Sequence, residues 1–372
     1  MYTVLIIGAY SESIINFRGD LIRFLVKKNC KVYAMSEKTT IENELKIKNL
    51  GATFISYNVE RHGLNPLNEL KTFLDLKKSI NTINPDILIS YTIKPVIWSG
   101  LAILFNKKVK YFPFIEGLGY AFQKKNLHRL ILKKLAIFLY KISLYRSTGV
   151  IFLNKDNQNT FIINNIISKD KCYIIDGIGV NLDYFEKQEL QHGDLTFLMI
   201  SRFLGEKGVK EYLQAAKIIK NKFSNIKIQL LGTFDNSLDS ISPILIDDAL
   251  REKIIEIIPQ QKDVREFLKN CHVFVLPSYH EGMPRTIMEA MSIGRPILTT
   301  DVPGCKNTVN HNENGLLVNK ADYNDLANKM IWFIENKDKI KIMGDKSRLI
   351  ASERFDVNII NARLYSIIIS HF

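Results

Sequence analysis

Two glutamates eight residues apart, Glu281 and Glu289, are the side chains whose type and spacing could most directly do chemistry. Paired carboxylates can act as a general acid and base, hold a metal ion, or accept hydrogen bonds from hydroxyl groups. The plainest alternative is that both are solvated side chains on the surface of a helix. The residues around the pair therefore decide which chemistry is expected.

The elements that must position the pair are a strand, a loop and a helix. The apolar run Val273–Leu276 predicts a short buried strand, and Pro284 suits the first position of a helix that ends at Gly294. A second apolar strand, Ile297–Thr300, follows. The helix N-terminus, near Gly282–Arg285, would attract an anion such as a phosphate. A nucleotide sugar fits this arrangement, because its diphosphate suits the helix end and its hydroxyls suit the two acids.

Two cations, Arg202 and Lys207, lie five residues apart after the predicted strand Leu195–Ile200. Fixed cations on such a loop would stabilise the negative charge that develops on a departing nucleoside diphosphate. In so basic a chain, both could instead be ordinary surface cations. Gly232 follows the predicted strand Lys227–Leu231, where a glycine would let the backbone approach a nucleotide or would simply form a turn.

With its flanking residues, Glu281…Glu289 resembles the E-x7-E motif of the retaining glycosyltransferases of family 4. The resemblance implies that Arg202 and Lys207 hold the diphosphate of a UDP sugar without a metal ion or a further cofactor. It also implies that Glu289 binds the ribose and that Glu281 binds the donor sugar. The mechanism we expect is a front-face reaction that retains the anomeric configuration. Further donor contacts are expected at Gly282, Met283, Pro284, Arg285 and Gly232.

The N-terminal half resembles the subset of this family that builds bacterial surface glycans on undecaprenyl-diphosphate, including transferases that add N-acetylgalactosamine. The resemblance rests on the motifs N-F-R at Asn16–Arg18 and E-G-L-G at Glu116–Gly119. It implies transfer of a hexose or N-acetylhexosamine to a hydroxyl of a lipid-linked saccharide in O-antigen, capsule or glycan synthesis. The expected acceptor-binding residues lie on loops that follow strands: Gly8, Tyr10, Asn16, Arg18, Thr92, Lys94, Glu116, Gly117 and Gly119.

The chain departs from the family at the loop predicted between strand Ile87–Ser90 and helix Val96–Asn106. Many members carry a histidine on this loop, whereas this chain has Tyr91-Thr92-Ile93-Lys94-Pro95. We therefore expect Thr92 or Lys94 to contact the acceptor in place of the histidine.

Apolar runs alternate with helical patterns along the chain, beginning with strand Val4–Ile7 and a helix near Gly19–Lys28. The alternation restarts after the polar interval Glu186–Asp194. This pattern predicts an α/β fold with two Rossmann-like, doubly wound parallel sheets that face each other across a cleft, which is also the GT-B arrangement that the resemblance implies. We expect an acceptor-binding domain at 1–185, a nucleotide-sugar-binding domain at 186–353, and a C-terminal helix at 354–372 that crosses back to the first domain.

The chain has 372 residues and a formal net charge of +13 at pH 7, which favours an anionic partner. It has no nucleic-acid-binding motif, so a nucleotide-type substrate or an acidic membrane is favoured over nucleic acid. The segment Lys124–Arg146 mixes basic residues with a broad apolar face, which predicts either a core helix or a helix that lies on anionic lipid. With neither a signal peptide nor a spanning apolar run, we expect a cytoplasmic protein that is peripheral on the inner face of the cytoplasmic membrane.

Two other functions remain open at this point. Nucleotide-sugar 2-epimerases share the two-domain fold, but they use several acids and histidines around the sugar. A non-catalytic, membrane-associated scaffold could also retain the fold. The combination of Arg202 and Lys207 with Glu281 and Glu289 favours a transferase over both.

Overall fold

The computed structural model describes residues 1–60, 65–118, 122, 127–235, 237 and 239–372 of the chain. These residues form two compact units: Met1–Ile178 together with Val357–Phe372, and Gly179–Asp356. The chain therefore divides at 178/179 and 356/357, rather than at the predicted 185/186 and 353/354.

The first unit alternates strands with helices. Its strands are β1 (Thr3–Ile7), β2 (Lys31–Ser36), β3 (Ala52–Ser56), β4 (Ile87–Tyr91), β5 (Lys110–Ile115), β6 (Val150–Phe152) and β7 (Cys172–Ile174). The helices between them are α1 (Ser11–Lys27), α2 (Ile41–Asn49), α3 (Pro66–Ile83), α4 (Ile93–Ala102), α5 (Leu127–Leu144) and α6 (Lys155–Ile163). The strands pair in parallel in the order β3-β2-β1-β4-β5-β6-β7.

The second unit repeats this organisation. Its strands are β8 (Leu195–Arg202), β9 (Ile226–Thr233), β10 (Glu256–Pro259), β11 (Val273–Leu276), β12 (Ile297–Thr300) and β13 (Gly315–Val318). Its helices are α7 (Val209–Lys222), α8 (Pro243–Arg251), α9 (Arg265–Asn270), α10 (Arg285–Ile293), α11 (Tyr323–Glu335) and α12 (Lys337–Ile350). The strands form a parallel sheet in the order β10-β9-β8-β11-β12-β13.

Both sheets are doubly wound, which confirms the predicted fold class. In a parallel sheet with helices on both faces, strands are apolar along their length, and the residues of β1 from Val4 to Ile7 are fully buried. The strand order reverses between β1 and β4 in the first sheet and between β8 and β11 in the second. Ligands of open α/β sheets bind at the carboxyl ends of the strands beside such a reversal. Apart from Gly232, which lies on β9, the predicted site residues lie at the ends of these four strands or on the segments that follow them or the adjoining β5.

The last helix, α13 (Val357–Ile369), belongs to the first unit. It follows a π-helical turn at Ala351–Phe355 and buries apolar side chains that include Ile360 and Leu364. The Tyr365 ring lies 5.9 Å from the Phe24 ring of α1, measured between ring centres. The helix that ends the chain thus packs on the N-terminal unit.

Several elements begin or end elsewhere than predicted. Helix α1 begins at Ser11 rather than near Gly19, so the N-F-R motif is helical instead of lying on a loop. Helix α4 begins at Ile93 rather than Val96, because a proline such as Pro95 is tolerated in the first turn of a helix. Strand β9 extends to Thr233 and so contains Gly232, which was expected to follow the strand.

The basic, apolar segment at 124–146 contains helix α5. Residues 124–126 of this segment lie outside the described part of the chain. Across the described ranges, no helix combines the length and the apolar character that crossing a bilayer would require.

Candidate functional site

The carboxyl edge of the second sheet holds the strand, loop and helix that were predicted around the two glutamates. Strand β11 ends at Leu276, and α10 begins at Arg285. Pro284 was predicted to be the first helical residue of α10, but it is the N-cap residue. Its backbone is extended, with φ −72° and ψ 114°. At the other end, Gly294 adopts φ +90°, the left-handed conformation that commonly terminates a helix.

Glu281 and Lys207 form an ion pair at this edge. The Lys207 Nζ lies 2.6 Å from the Glu281 Oε1, and the Ser278 hydroxyl donates to the same oxygen at 2.9 Å. The side chains of Lys207 and Glu281 are only 16% and 14% exposed. The structure thus brings together a cation that follows β8 and a carboxylate that follows β11, although the sequence separates them by 74 positions.

Two glycines permit the close backbone contacts behind this ion pair. Gly208 has φ +76°, and a Cβ there would lie 2.1 Å from the carbonyl oxygen of Pro277. Gly304 has φ +85°, and a Cβ there would lie 2.3 Å from the carbonyl oxygen of Glu281. Because a side chain at either position would push the loops apart, each glycine is required by both its conformation and its contact.

Glu289 lies in the second turn of α10 and pairs with Arg285 four residues earlier. The Arg285 Nε lies 2.9 Å from the Glu289 Oε1. Burial raises the pKa of the Glu289 carboxyl, and the nearby guanidinium opposes that effect. Met283 is also buried, so the predicted donor-binding residues of this loop are partly enclosed.

Arg202 occupies the last position of β8 instead of the following loop. Its guanidinium forms an ion pair with Asp235, a largely buried carboxylate that comes two residues after the end of β9. Asp235 was not among the predicted site residues, although the sequence shows an acid soon after the strand that precedes it. The predicted diphosphate cation therefore has an acidic partner of its own.

Gly232 has a packing role that the sequence did not reveal. A Cβ at this position would lie 1.8 Å from the carbonyl oxygen of Ser201 on the adjacent strand β8. The glycine therefore allows β8 and β9 to approach each other, which accounts for it without a nucleotide.

At the carboxyl edge of the first sheet, the space beside Gly8 is filled by protein. A Cβ at Gly8 would lie 2.2 Å from the Tyr91 hydroxyl oxygen. That hydroxyl is within 2.8 Å of the Ser13 Oγ, and the Tyr57 hydroxyl donates to the Gly8 carbonyl oxygen at 2.8 Å. The Tyr91 side chain therefore occupies the space that a Cβ at position 8 would need, which accounts for this glycine without a substrate. The acceptor contact expected at Gly8 stays a prediction.

Arg18 is buried against aromatic side chains at the same edge. Its side chain is 1% exposed, and its guanidinium lies 4.2 Å from the centre of the Tyr91 ring and 5.0 Å from that of Phe114. It forms an ion pair with Glu116, whose side chain remains 28% exposed. The predicted direct contact with the acceptor is thus replaced by a contact with Glu116, which follows β5.

The other predicted acceptor residues differ in how available they are. Asn16 is exposed on α1, and Tyr10 is the half-buried N-cap residue of that helix. A Cβ at Gly117 would meet nothing within 4 Å, so this position is open. Gly119 lies outside the described residues.

Thr92 and Lys94, expected in place of a histidine, have different environments. Thr92 has φ +66°, which is unusual for a β-branched residue, and its hydroxyl is buried with no hydrogen-bond partner in the described part of the chain. Such backbone strain costs about 1–3 kcal/mol and is often found at functional sites. Lys94 instead forms an ion pair with Glu69, which also accepts from the Trp98 Nε1 at 2.6 Å. Of the two, Thr92 is the better placed to meet a ligand.

Two family models match the chain, one in each half. The model described as glycosyl transferase 4-like matches residues 5–154, and the model described as glycosyl transferases group 1 matches residues 181–349. The first range falls within the first unit, and the second range falls within the second unit.

Two curated bacterial relatives are similar over most of the chain. The N,N'-diacetylbacillosaminyl-diphospho-undecaprenol alpha-1,3-N-acetylgalactosaminyltransferase of Campylobacter jejuni is 31% identical over 368 residues, which covers 94% of each protein. The UDP-Gal:alpha-D-GlcNAc-diphosphoundecaprenol alpha-1,3-galactosyltransferase of Escherichia coli is 24% identical over 284 residues, which covers 73% of this chain and 72% of the relative.

A solved structure shows the same fold at low sequence identity. The crystal structure of Anabaena HepE in complex with UDP and glucose superposes with a TM-score of 0.81, at 16% identity and with 100% of both chains covered. Together with the two matched domains, this likeness confirms the predicted GT-B fold class.

Replacing Arg285 by Gln is expected to destabilise the second unit by about 3 kcal/mol at pH 8, because the buried Glu289 carboxylate loses its cation. Glu289 binds a proton more readily in the folded protein than in the unfolded chain, where its pKa is about 4.3. The destabilisation should therefore be smaller at pH 5 than at pH 8. Urea unfolding followed by Trp332 fluorescence measures this effect, in a Trp98→Phe background that removes the other tryptophan.

The control is the double variant Glu289→Gln and Arg285→Gln, in which no carboxylate is left at position 289 without its cation. Its loss of stability relative to the parent should not grow between pH 5 and pH 8, because the carboxylate that burial makes costly to ionise is gone. An equal loss at pH 5 and pH 8 in the Arg285→Gln single variant would contradict the assignment.

Proposed function

Because the chain belongs to the glycosyltransferase family of these relatives, we propose that it transfers a hexose or N-acetylhexosamine from a UDP sugar to a hydroxyl of an undecaprenyl-diphosphate-linked saccharide. The single observation that carries the proposal is the Lys207–Glu281 ion pair beside the N-terminus of α10. The names of both curated relatives specify a sugar diphosphoundecaprenol, and one specifies UDP-galactose. The products would enter O-antigen, capsule or related glycan synthesis.

In the donor site, the ion pair would open and each partner would take a part of the nucleotide sugar. The Lys207 ammonium is suited to the diphosphate, and the Glu281 carboxylate is suited to sugar hydroxyls. Since Arg202 is already paired with Asp235, we assign Lys207 the larger share of the diphosphate charge. Glu289 and Arg285, fixed to each other on α10, would meet the ribose and a phosphate. Backbone groups at Gly282–Pro284 would complete the site.

The proposed reaction proceeds on one face of the sugar. The bond between the anomeric carbon and the phosphate oxygen breaks, and the acceptor oxygen bonds to the same face of that carbon. The acceptor proton passes to the departing phosphate oxygen, so the configuration is retained and no protein nucleophile is consumed. Lys207 and the helix N-terminus would stabilise the departing charge without a metal ion.

In the acceptor site, Glu116 would accept a hydrogen bond from a saccharide hydroxyl. The Glu116 side chain is 28% exposed and pairs with a buried guanidinium that packs on two aromatic rings, so Arg18 acts by orienting Glu116. The buried hydroxyl of Thr92 and the exposed Asn16 are further candidates at the same sheet edge. Tyr10, at the end of the loop between β1 and α1, and Gly117, two residues after β5, would border this edge.

The membrane proposal rests on α5. Three exposed apolar side chains, Ile131, Leu135 and Phe138, recur on this helix at intervals of four and three, and Lys134 and Lys141 are also exposed on it. An apolar face flanked by lysines fits an anionic bilayer surface, and the net charge of +13 agrees. We propose that α5 rests on the inner face of the cytoplasmic membrane, where a lipid-linked acceptor would be found.

The function is tested by incubating the chain with UDP-glucose, UDP-galactose, UDP-N-acetylglucosamine or UDP-N-acetylgalactosamine and an undecaprenyl-diphosphate-linked acceptor, with and without EDTA. Mass spectrometry should detect an acceptor that has gained one sugar, and proton NMR of the product should show the anomeric configuration of the donor. Formation of an epimeric UDP sugar without acceptor would support an isomerase. UDP binding with no turnover of any donor would support a scaffold.

Replacing Lys207 by Met should lower kcat/KM for the donor by about 10²–10³-fold, because the leaving diphosphate loses a preorganised cation. The matched control is Lys210→Met, which removes an exposed lysine from the first turn of α7. Steady-state kinetics on both variants provides the comparison. The assignment fails if Lys207→Met and Lys210→Met have the same kcat/KM.

Replacing both Ile131 and Phe138 by Glu should reduce co-sedimentation with vesicles containing phosphatidylglycerol by at least about tenfold, because two charges would enter the apolar face. The control is the double variant Leu67→Glu and Leu74→Glu, which makes the same change at two exposed leucines of α3. Equal binding by the two double variants would show that α5 is not the membrane-facing helix.

A further inference from the structure

Tyr279 links the two loops that carry Lys207 and Glu281. Its backbone N–H donates to the carbonyl oxygen of Glu206 at 2.7 Å, and Glu206 is the residue before Lys207. Its hydroxyl donates to the Glu211 Oε1 at 2.6 Å, in the first turn of α7. Glu281 follows Tyr279 by two residues. The tyrosine therefore contacts the β8–α7 loop at Glu206 and the start of α7 at Glu211, one on either side of Gly208.

The Glu211 carboxylate depends on this tyrosine. Its second oxygen, Oε2, is buried and has no hydrogen-bond partner in the described ranges. Without the Tyr279 hydroxyl, the other oxygen of this partly buried carboxylate would lose its donor as well, which is unfavourable. The loop would be expected to shift rather than leave this group unpaired.

The tyrosine is well suited to remain a donor. Burial raises the pKa of its hydroxyl, and the adjacent Glu211 raises it further, so the proton stays on the tyrosine at physiological pH. The Lys320 ammonium lies 5.2 Å from the centre of the same ring. That contact involves the ring and not the hydroxyl, so a phenylalanine would preserve it.

We propose that Tyr279 is a positioning residue for donor binding: its hydroxyl and Glu211 hold the Lys207 loop against the Glu281 loop. The inference rests on the proposed function, since it assumes that Lys207 and Glu281 bind the diphosphate and sugar of one donor. Their spacing must then match the donor, and misplacement of a binding group by about 1 Å can cost as much as about 100-fold in rate.

The variant that tests this is Tyr279→Phe, which removes one hydroxyl and keeps the ring. With the UDP sugar that the wild type uses fastest, kcat/KM for the donor should fall by about 10- to 100-fold, while KM for the acceptor stays unchanged. Glu211→Gln keeps a carbonyl oxygen that can accept from Tyr279, so it should lose less than Tyr279→Phe. Glu211→Leu combined with Tyr279→Phe should lose no more than Glu211→Leu alone, because both changes remove one interaction.

The matched control is Tyr212→Phe in the same unit. The Tyr212 hydroxyl is buried and donates to the carbonyl oxygens of Phe197 and Gln229 at 3.1 and 3.2 Å. Its loss should lower the melting temperature but leave the donor KM unchanged, because no site loop depends on it. Equal donor kinetics for Tyr279→Phe and Tyr212→Phe would overturn the proposal.

Hydrogen exchange separates this inference from the proposed function. The peptide that covers Phe203–Leu213 should exchange faster in Tyr279→Phe than in the wild type, whether or not a donor is turned over. If the wild type transfers no sugar but exchange changes as expected, the proposed function fails and the loop contact stands. Unchanged exchange in this peptide would overturn the positioning role itself.

Discussion

The candidate donor site depends on one physical constraint, the close approach of three loops that follow β8, β11 and β12. Gly208 against Pro277 and Gly304 against Glu281 leave no room for a Cβ, and both glycines have backbone angles that other residues adopt at a cost. These contacts set the 2.6 Å separation between Lys207 and Glu281. The proposed roles of Lys207 and Glu281 depend on that separation.

An ion pair this well enclosed contributes little to stability by itself. Removing two charges from water costs about as much as their attraction returns, so a buried pair is weak evidence of a stabilising role. A ligand that offers an anion to Lys207 and hydroxyls to Glu281 could replace both halves of the pair. Under the proposed function, contacts with a nucleotide sugar would replace the contact between these two charges. The Glu289–Arg285 pair on α10 has the same character.

The local pattern of the sequence predicted the elements around the site well. The bounds of β11 and β12 agree with the apolar runs that predicted them, because strands that are buried on both faces of a parallel sheet are apolar along their length. The side-chain contacts were harder to predict. Gly8 faces Tyr91 because β1 pairs with β4, and Arg202 meets Asp235 because β8 pairs with β9. A single sequence does not specify which strands are neighbours, so it could not show that Gly8 is covered or that Arg202 is paired.

The most direct test of the central claim is a crystal structure of the chain with UDP bound. The account predicts that the Lys207 Nζ leaves the Glu281 Oε1 and lies about 2.7–2.9 Å from a diphosphate oxygen. The uridine ribose should then lie beside Glu289. A structure in which UDP binds while the Lys207–Glu281 pair stays closed, with the diphosphate elsewhere, would contradict the account.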